Sequence, residues 1–215
     1  VNGTPLHDLA RSGVLCVVSG PSGSGKTTLC HRAARELEGV VYSVSCTTRP
    51  PREGETDGAD YHFLSTEDFE RRLEAGEFLE HALVHGRHRY GTLKGEVLGA
   101  LRGGKDVVMD LDVQGAAQLR ASDDPEIRRA LVRVFVRTSG RDDLRRRILG
   151  RGPMPEEELE RRLRSAEDET RHWPEYDYTL VSADRDTDFA RLAAIFTAER
   201  LRSSRWADQG RWEAS

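Results

Sequence analysis

Residues 20–27 read GPSGSGKT, the pattern G-x-x-x-x-G-K-[ST], and a valine-rich apolar run, GVLCVVSG (13–20), leads straight into it. The run reads as a buried strand closed by glycine. The stretch from about Lys26 to Leu37 reads as a helix. A glycine-rich turn between strand and helix lets backbone N–H groups point into a cup of anion size, and the helix N-terminus adds positive potential. In such a loop Lys26 reaches the β and γ phosphates of a bound nucleotide, and the Thr27 hydroxyl serves Mg²⁺. Gly20, Pro21, Ser22, Gly23, Ser24, Gly25, Lys26, Thr27 and Thr28 are thus a candidate site for ATP or GTP. Kinases, hydrolases and switches all use this loop, so it does not choose among them.

The rest of the chain alternates in the same manner. VVYSVS (40–45), DVVMDLD (106–112), LVRVFVRT (131–138) and YDYTLVS (176–182) read as strands. Stretches 93–101, 142–149, 155–173 and about 186–202 read as helices. Ser65 with Asp68 resembles a capping box that opens a helix carrying Phe69 and Leu73 on one face. Strands alternating with helices predict an α/β fold with a mainly parallel central sheet. A chain of 215 residues suffices for one domain with inserted lobes. We assign that domain to 13–202, with its core in 13–45, 93–139 and 169–202. Segments 46–92 and 140–168 are polar insertions where closure over substrate is expected. Within the first, 46–64 has too few apolar residues for a core of its own. ASDDPEIRRAL (121–131) reads as a short surface insertion, and 1–12 and 203–215 as tails, the latter frayed.

Composition excludes several classes of function. Lys and Arg number 33 against 37 Asp and Glu, and a net charge of -4 leaves no basic footprint for nucleic acid. Cys16, Cys30 and Cys46 lack paired spacing, which points to a reducing compartment. No apolar run approaches the ~18 residues that span a bilayer, and the first residues do not form a secretory signal. The expectation is a cytoplasmic protein without membrane partners. The seven histidines lack metal-ligand spacing.

SVSCTTRPPREGETDGADY (43–61) suggests a second anion site. Arg49 and Arg52 offer planar forks to phosphate oxygens, and Pro50 and Pro51 stiffen the backbone between them. Tyr61 and Tyr90 add phenolic donors. In DVVMDLD the acids lie at a strand's carboxyl end, where open α/β sheets bind ligands. Asp110 is placed to hold a metal's water shell, and Asp112, two residues on, is expected on the same strand face, the alternative being that both acids cap the next turn.

GPSGSGKTTL, SVSCTTRPPREGETDGADYHF, EFLEHA, YGT, DLDVQGA and RILGRG occur in this order. In this the chain resembles the guanylate kinase family from about Val14 to Arg202. The resemblance implies a three-layer P-loop NTPase fold with a GMP-binding lobe at 46–92 and a helical lid at 140–168. It implies that Arg49, Arg52, Tyr61 and Tyr90 hold the phosphate of GMP, and that Ser45, Glu80, Thr92 and Asp112 meet the guanine. Guanine offers N1–H and N2–H₂ as donors, which suit carboxylates. Arg147 and Arg151, at helical i and i+4, and Arg162 match the family's lid arginines around the ATP phosphates. With Lys26 and Arg49 they form the implied catalytic set. The implied reaction is Mg²⁺-dependent, ATP + GMP → ADP + GDP, with dGMP as a further acceptor. The acceptor phosphate has a second pKa near ~6, so no general base is needed.

The chain departs from the family pattern in places. GRHRYGT (86–92) is one residue longer before its tyrosine. Ser182 stands where the family commonly has an asparagine associated with adenine, which leaves the donor base open. Two other readings stand beside the kinase: an interaction module that has lost catalysis, and a small kinase for another phosphorylated sugar or nucleotide. The intact Gly25, Lys26 and Thr27 oppose the first, and Glu80 with Asp112 opposes the second.

Overall fold

The computed structural model describes residues 11–84, 86–150 and 152–206. Along the chain run β1 (Leu15–Ser19), α1 (Lys26–Glu36), β2 (Val40–Tyr42), β3 (Cys46–Thr47), β4 (His62–Phe63), α2 (Thr66–Glu74), β5 (Phe78–Val84) and β6 (His88–Leu93). There follow α3 (Lys94–Arg102), β7 (Asp106–Asp110), α4 (Val113–Arg120), α5 (Pro125–Ala130), β8 (Leu131–Arg137), α6 (Arg141–Leu149), α7 (Glu156–Thr170), β9 (Tyr178–Val181) and α8 (Arg185–Arg200).

The central sheet has five strands in the order β2-β7-β1-β8-β9, and every pairing is parallel. Side chains alternate across a strand, so the valine-rich β1 feeds two cores. Val14, Cys16 and Val18 face Leu29, Cys30 and Ala33 of α1 and Leu192 and Phe196 of α8. Leu15 and Val17 face Val97 and Leu101 of α3 and Leu119 of α4. This is the predicted three-layer α/β arrangement. The chain leaves β1 for β2 on one side, while β8 lies on the other. The loop at 20–25 thus opens where the strand order reverses, the usual ligand crevice of open α/β sheets.

The insertion at 46–92 builds a second sheet, in the order β4-β3-β6-β5. Its strands were not visible in the sequence. β3 and β4 are two residues long and exist only by docking on β6 and each other. The segment borrows its core: Phe69 of α2 is fully buried and stacks on Phe78 of β5, with ring centroids 4.3 Å apart. Gly91 on β6 permits this, because a Cβ there would lie 2.9 Å from the Phe78 ring and 3.2 Å from that of Phe69. The Ser65 cap forms, accepting the Asp68 N–H at 3.0 Å, but the Asp68 carboxylate turns to Arg71 instead of closing the box. Gln118 of α4 exchanges two hydrogen bonds with the backbone of His81, fixing β5 against the central domain.

Three expectations change. The segment 121–131 is not confined to the surface: Asp124 caps α5, and Ile127 and Ala130 enter the core beside α3 and α4. The chain after α8 is not frayed through 206. Arg205 is 2% exposed, pairs with Glu199 at 2.8 Å and donates to the carbonyls of Gly13, Arg129 and Ala130. Pro155 caps α7 from outside its first turn. The helices α6 and α7 pack on each other through Leu144, Ile148, Leu159 and Leu163, a cluster separate from the two central cores.

Candidate active site

Gly20 has a φ of 143°, and a Cβ at this position would lie 2.0 Å from the Val136 carbonyl oxygen on β8. Only glycine lets the chain leave β1 so close to its neighbour. The turn ends at Gly25, the N-cap of α1. Lys26 folds back over the cup, its Nζ donating to the carbonyls of Gly20 (2.5 Å) and Pro21 (3.0 Å). Ser22, Gly23, Gly25, Lys26 and Thr27 line a cavity of about 280 Å³ together with Asp110, Asp112 and Glu169. Ser24 and Thr28 face a second cavity, shared with Arg147 and Asp188.

Asp110 ends β7 beside this loop. Its Oδ2 accepts from the Thr27 hydroxyl and its Oδ1 from the Tyr42 hydroxyl, each at 2.7 Å. Burial, then the adjacent Asp110 charge, pushes the Tyr42 phenol well above its usual range. Asp112 does not share a strand face with Asp110, contrary to the alternation argument. The strand stops at Asp110, and Asp112 caps α4 by accepting the Gly115 N–H at 2.8 Å. It still faces the cavity that holds the candidate acceptor residues.

That cavity, about 330 Å³, is lined by Thr27, Tyr42, Ser45, Asp60, Tyr61, Glu80, Tyr90, Asp110 and Asp112 among others. Glu80 lies on β5, not in a turn, and is 5% exposed. Thr92, opposite it on β6, donates its hydroxyl to Glu80 Oε1 at 2.7 Å and so stands behind the carboxylate. Burial raises the Glu80 pKa to about 7, and the like charge of Asp112 adds to this against the Thr92 bond. Tyr61 and Tyr90 meet edge to face, with centroids 5.8 Å apart, and the Arg49 guanidinium lies 5.3 Å from the Tyr61 ring centre. Arg49 pairs with Glu55 at 2.8 Å. The other oxygen of Glu55 accepts the backbone N–H of Arg52, whose side chain is exposed. Arg49, Tyr61 and Tyr90 are therefore gathered, while Arg52 stands at the rim.

Of the arginines expected around the ATP phosphates, Arg147 lines the cavity shared with Gly23, Gly25 and Thr28 of the loop, while Arg162 is held on its own helix. Arg147 donates to the Ser182 hydroxyl (3.0 Å) and the Ala183 carbonyl (3.4 Å), and pairs with Asp143. Arg162 pairs with Glu158 on its own helix at 2.7 Å. α6 closes at Leu149 with Gly150 as its cap, so the shared-face argument joining 147 to 151 has no helix to act on. Arg151 lies outside the described residues.

The family model described as "Guanylate kinase" matches residues 12–199. The guanylate kinase of Paramagnetospirillum magneticum is 44% identical over 200 residues, covering 93% of this chain and 91% of that protein. The chain belongs to the guanylate kinase family. The guanylate kinase of Alkalilimnicola ehrlichii is 46% identical over 193 residues, covering 90% and 92% of the two chains. The crystal structure of guanylate kinase from Anaplasma phagocytophilum superposes with a TM-score of 0.74 at 31% identity, covering 94% of each chain.

Four residues that line these cavities escaped the sequence reading. His31 follows Thr27 by one helical turn and faces the same cavity. Tyr42 is one of several apolar-run residues on β2, and nothing local marks it as polar in use. Glu169, whose carboxyl is pushed up by burial, reaches the phosphate-loop cavity from the far end of α7. Asp188 accepts from the Ser182 hydroxyl at 2.6 Å and from the Ala183 N–H at 2.9 Å, so Ser182 is tied into the start of α8.

Proposed function

We propose that this member of the guanylate kinase family transfers the γ-phosphoryl group of ATP to GMP, and also to dGMP, yielding ADP and GDP. The observation that carries the reading is Glu80. A carboxylate has been buried, against its own hydration, in a cavity that is also lined by Thr27 of the nucleotide loop and Asp110 of β7. An acceptor with guanine's N1–H and N2–H₂ would satisfy Glu80 and Asp112; adenine would leave them unpaired, a loss expected to reach several kcal/mol.

Ser45, Glu80 with Thr92 behind it, and Asp112 are the base contacts in this reading. Arg49, Arg52, Tyr61 and Tyr90 grip the acceptor phosphate. The Gly20–Thr28 loop takes the ATP phosphates, and Lys26 moves from its backbone carbonyls to phosphate oxygens. Two anions must approach in line, so the residues act by neutralising charge and positioning, with no base to remove a proton. Arg147, Arg151 and Arg162 join when segment 140–168 closes over the core as a lid, and 46–92 works as the acceptor lobe. The Thr27 hydroxyl and the Asp110 carboxylate are hard oxygen donors set side by side, a pair that fits Mg²⁺ with its water and substrate-phosphate ligands. Mg²⁺ bound there supplies charge neutralisation on the β and γ oxygens. We assign the enzyme to the cytoplasm, with support from the free, buried Cys16, Cys30 and Cys46. No described helix is long and apolar enough to cross a membrane.

A coupled ADP-release assay across GMP, dGMP, AMP, CMP and UMP tests the assignment. GMP and dGMP are expected to turn over at least about 100-fold more efficiently than the rest, as for sites built on substrate hydrogen bonds. Equal turnover of AMP, or none with GMP, would overturn it.

A further inference from the structure

Both carboxylate oxygens of Asp110 are held, by donors of different kinds. Oδ2 accepts from Thr27 and Oδ1 from Tyr42, each at 2.7 Å. An ionised carboxylate only accepts, so each hydroxyl is the donor. Thr27 belongs to the nucleotide loop, and its oxygen has a second use toward a metal ion. When it turns to that use, Asp110 loses one of its two restraints. Tyr42 is held from two sides. Its ring lies against the imidazole of His31, with centroids 4.1 Å apart and 27° between the planes. Strand pairing fixes its backbone, since Tyr42 is in register with Val108, two residues before Asp110. Ring and backbone together leave the hydroxyl one direction, onto Oδ1.

We propose that Tyr42 is a positioning residue for metal-dependent nucleotide binding. Its hydroxyl holds Asp110 in the rotamer that turns Oδ2 toward the nucleotide loop, and His31 holds the phenol in turn. Tyr42 is also the last residue of β2, immediately before the chain crosses to the acceptor lobe at Ser45 and Cys46. The same hydrogen bond thus ties the root of that lobe to the acid of the donor site. This inference rests on the kinase reading given above.

Tyr42→Phe keeps the stacked ring and removes only the hydroxyl. Calorimetric titration of the whole chain with ATP, in excess Mg²⁺ and again in EDTA, measures the gain in affinity that the metal brings. Loss of an outer-shell partner of a metal-binding carboxylate typically costs about tenfold or more. The variant is expected to lose about that factor with Mg²⁺ present, while ATP in EDTA stays within roughly twofold. His31→Ala, which frees the ring but keeps the hydroxyl, is expected to lose part of the same gain. An unchanged ratio of the two ATP affinities in Tyr42→Phe, or an equal loss with and without metal, would overturn the role of Tyr42 and leave the kinase reading intact. A wild-type chain that turns over GMP but gains nothing from Mg²⁺ in binding would also overturn it. Failure of the wild type both to bind Mg²⁺-ATP and to turn over GMP would remove the kinase reading and this inference together.

Discussion

Glu80 holds its proton more tightly than a carboxylate in water, because burial strips its hydration and Asp112 repels its charge; its pKa is about 7. Guanine's donors need the ionised form. GMP binding should therefore weaken as pH falls below about 7, by close to tenfold per unit, with the acceptor's own phosphate titrating only near ~6. Glu80→Gln should bind GMP about 100-fold more weakly at pH 8 and lose the pH dependence between 7 and 6, with ATP affinity unchanged. A GMP profile that keeps its slope in the variant would remove Glu80 from the base site. The sign for stability is the reverse of the usual carboxylate. The folded-state pKa lies above the ordinary 4.5, so the folded chain holds the extra proton between 4.5 and about 7, and that stabilisation is lost as pH rises through 7. Glu80 was legible as a site residue only through the motif around it. Taken alone, an acid beside Phe78 and Leu79 reads as a surface turn, because its burial depends on pairing with Thr92, twelve positions away in sequence.

At the level of elements, buried ion pairs fasten the ends of the fold. Arg205 and Glu199 are each 2% exposed in their side chains, and Arg205 also reaches the carbonyls before β1 and at the end of α5. Removing one partner of a buried pair strands the other, at a cost of about 3–5 kcal/mol. Arg205→Ala should lower the melting temperature by several degrees or more while leaving KM for GMP unchanged. A melting curve that matches the wild type would show that the 3₁₀ turn at Ser203–Arg205 contributes little. Asp106, fully buried, is held in the same way by Arg11 and Arg200. These contacts explain why the tail expectation failed at 203–206: a polar sequence looks frayed until its partner, 75 to 192 positions away, is in place. Local pattern was sufficient for β1, β7, β8, β9 and the long helices, whose apolar spacing is set by burial on a sheet. It was insufficient for β3 and β4, which are too short to carry a period.

On the scale of the whole molecule, α6 and α7 have their own apolar cluster and meet the core near the 20–25 loop, where Arg147 reaches Ser182 and a Cβ at Gly23 would lie 3.4 Å from Ile148 Cγ1. A separate cluster with so small a seam permits rigid-body motion. Small-angle scattering should show the radius of gyration fall when a non-hydrolysable ATP analogue and GMP are both present, and fall less with either alone. No contraction with both ligands would argue that the lid is already seated. The exposed pairs that link α6 to α7, Arg141 with Glu160 and Glu167 and Arg145 with Glu156, should weigh little in that balance.

The phosphate cup, the parallel α/β layering and the arginine–proline segment are properties of local order: glycines at fixed spacing, alternation of valines, stiff backbone between two cations. They could be read from the chain before any fold was known. The enclosure of Glu80, the packing of α5 and the grip of Tyr42 on Asp110 could not. Each depends on residues far apart in sequence whose meeting is set by which strands pair, and no local period encodes that pairing.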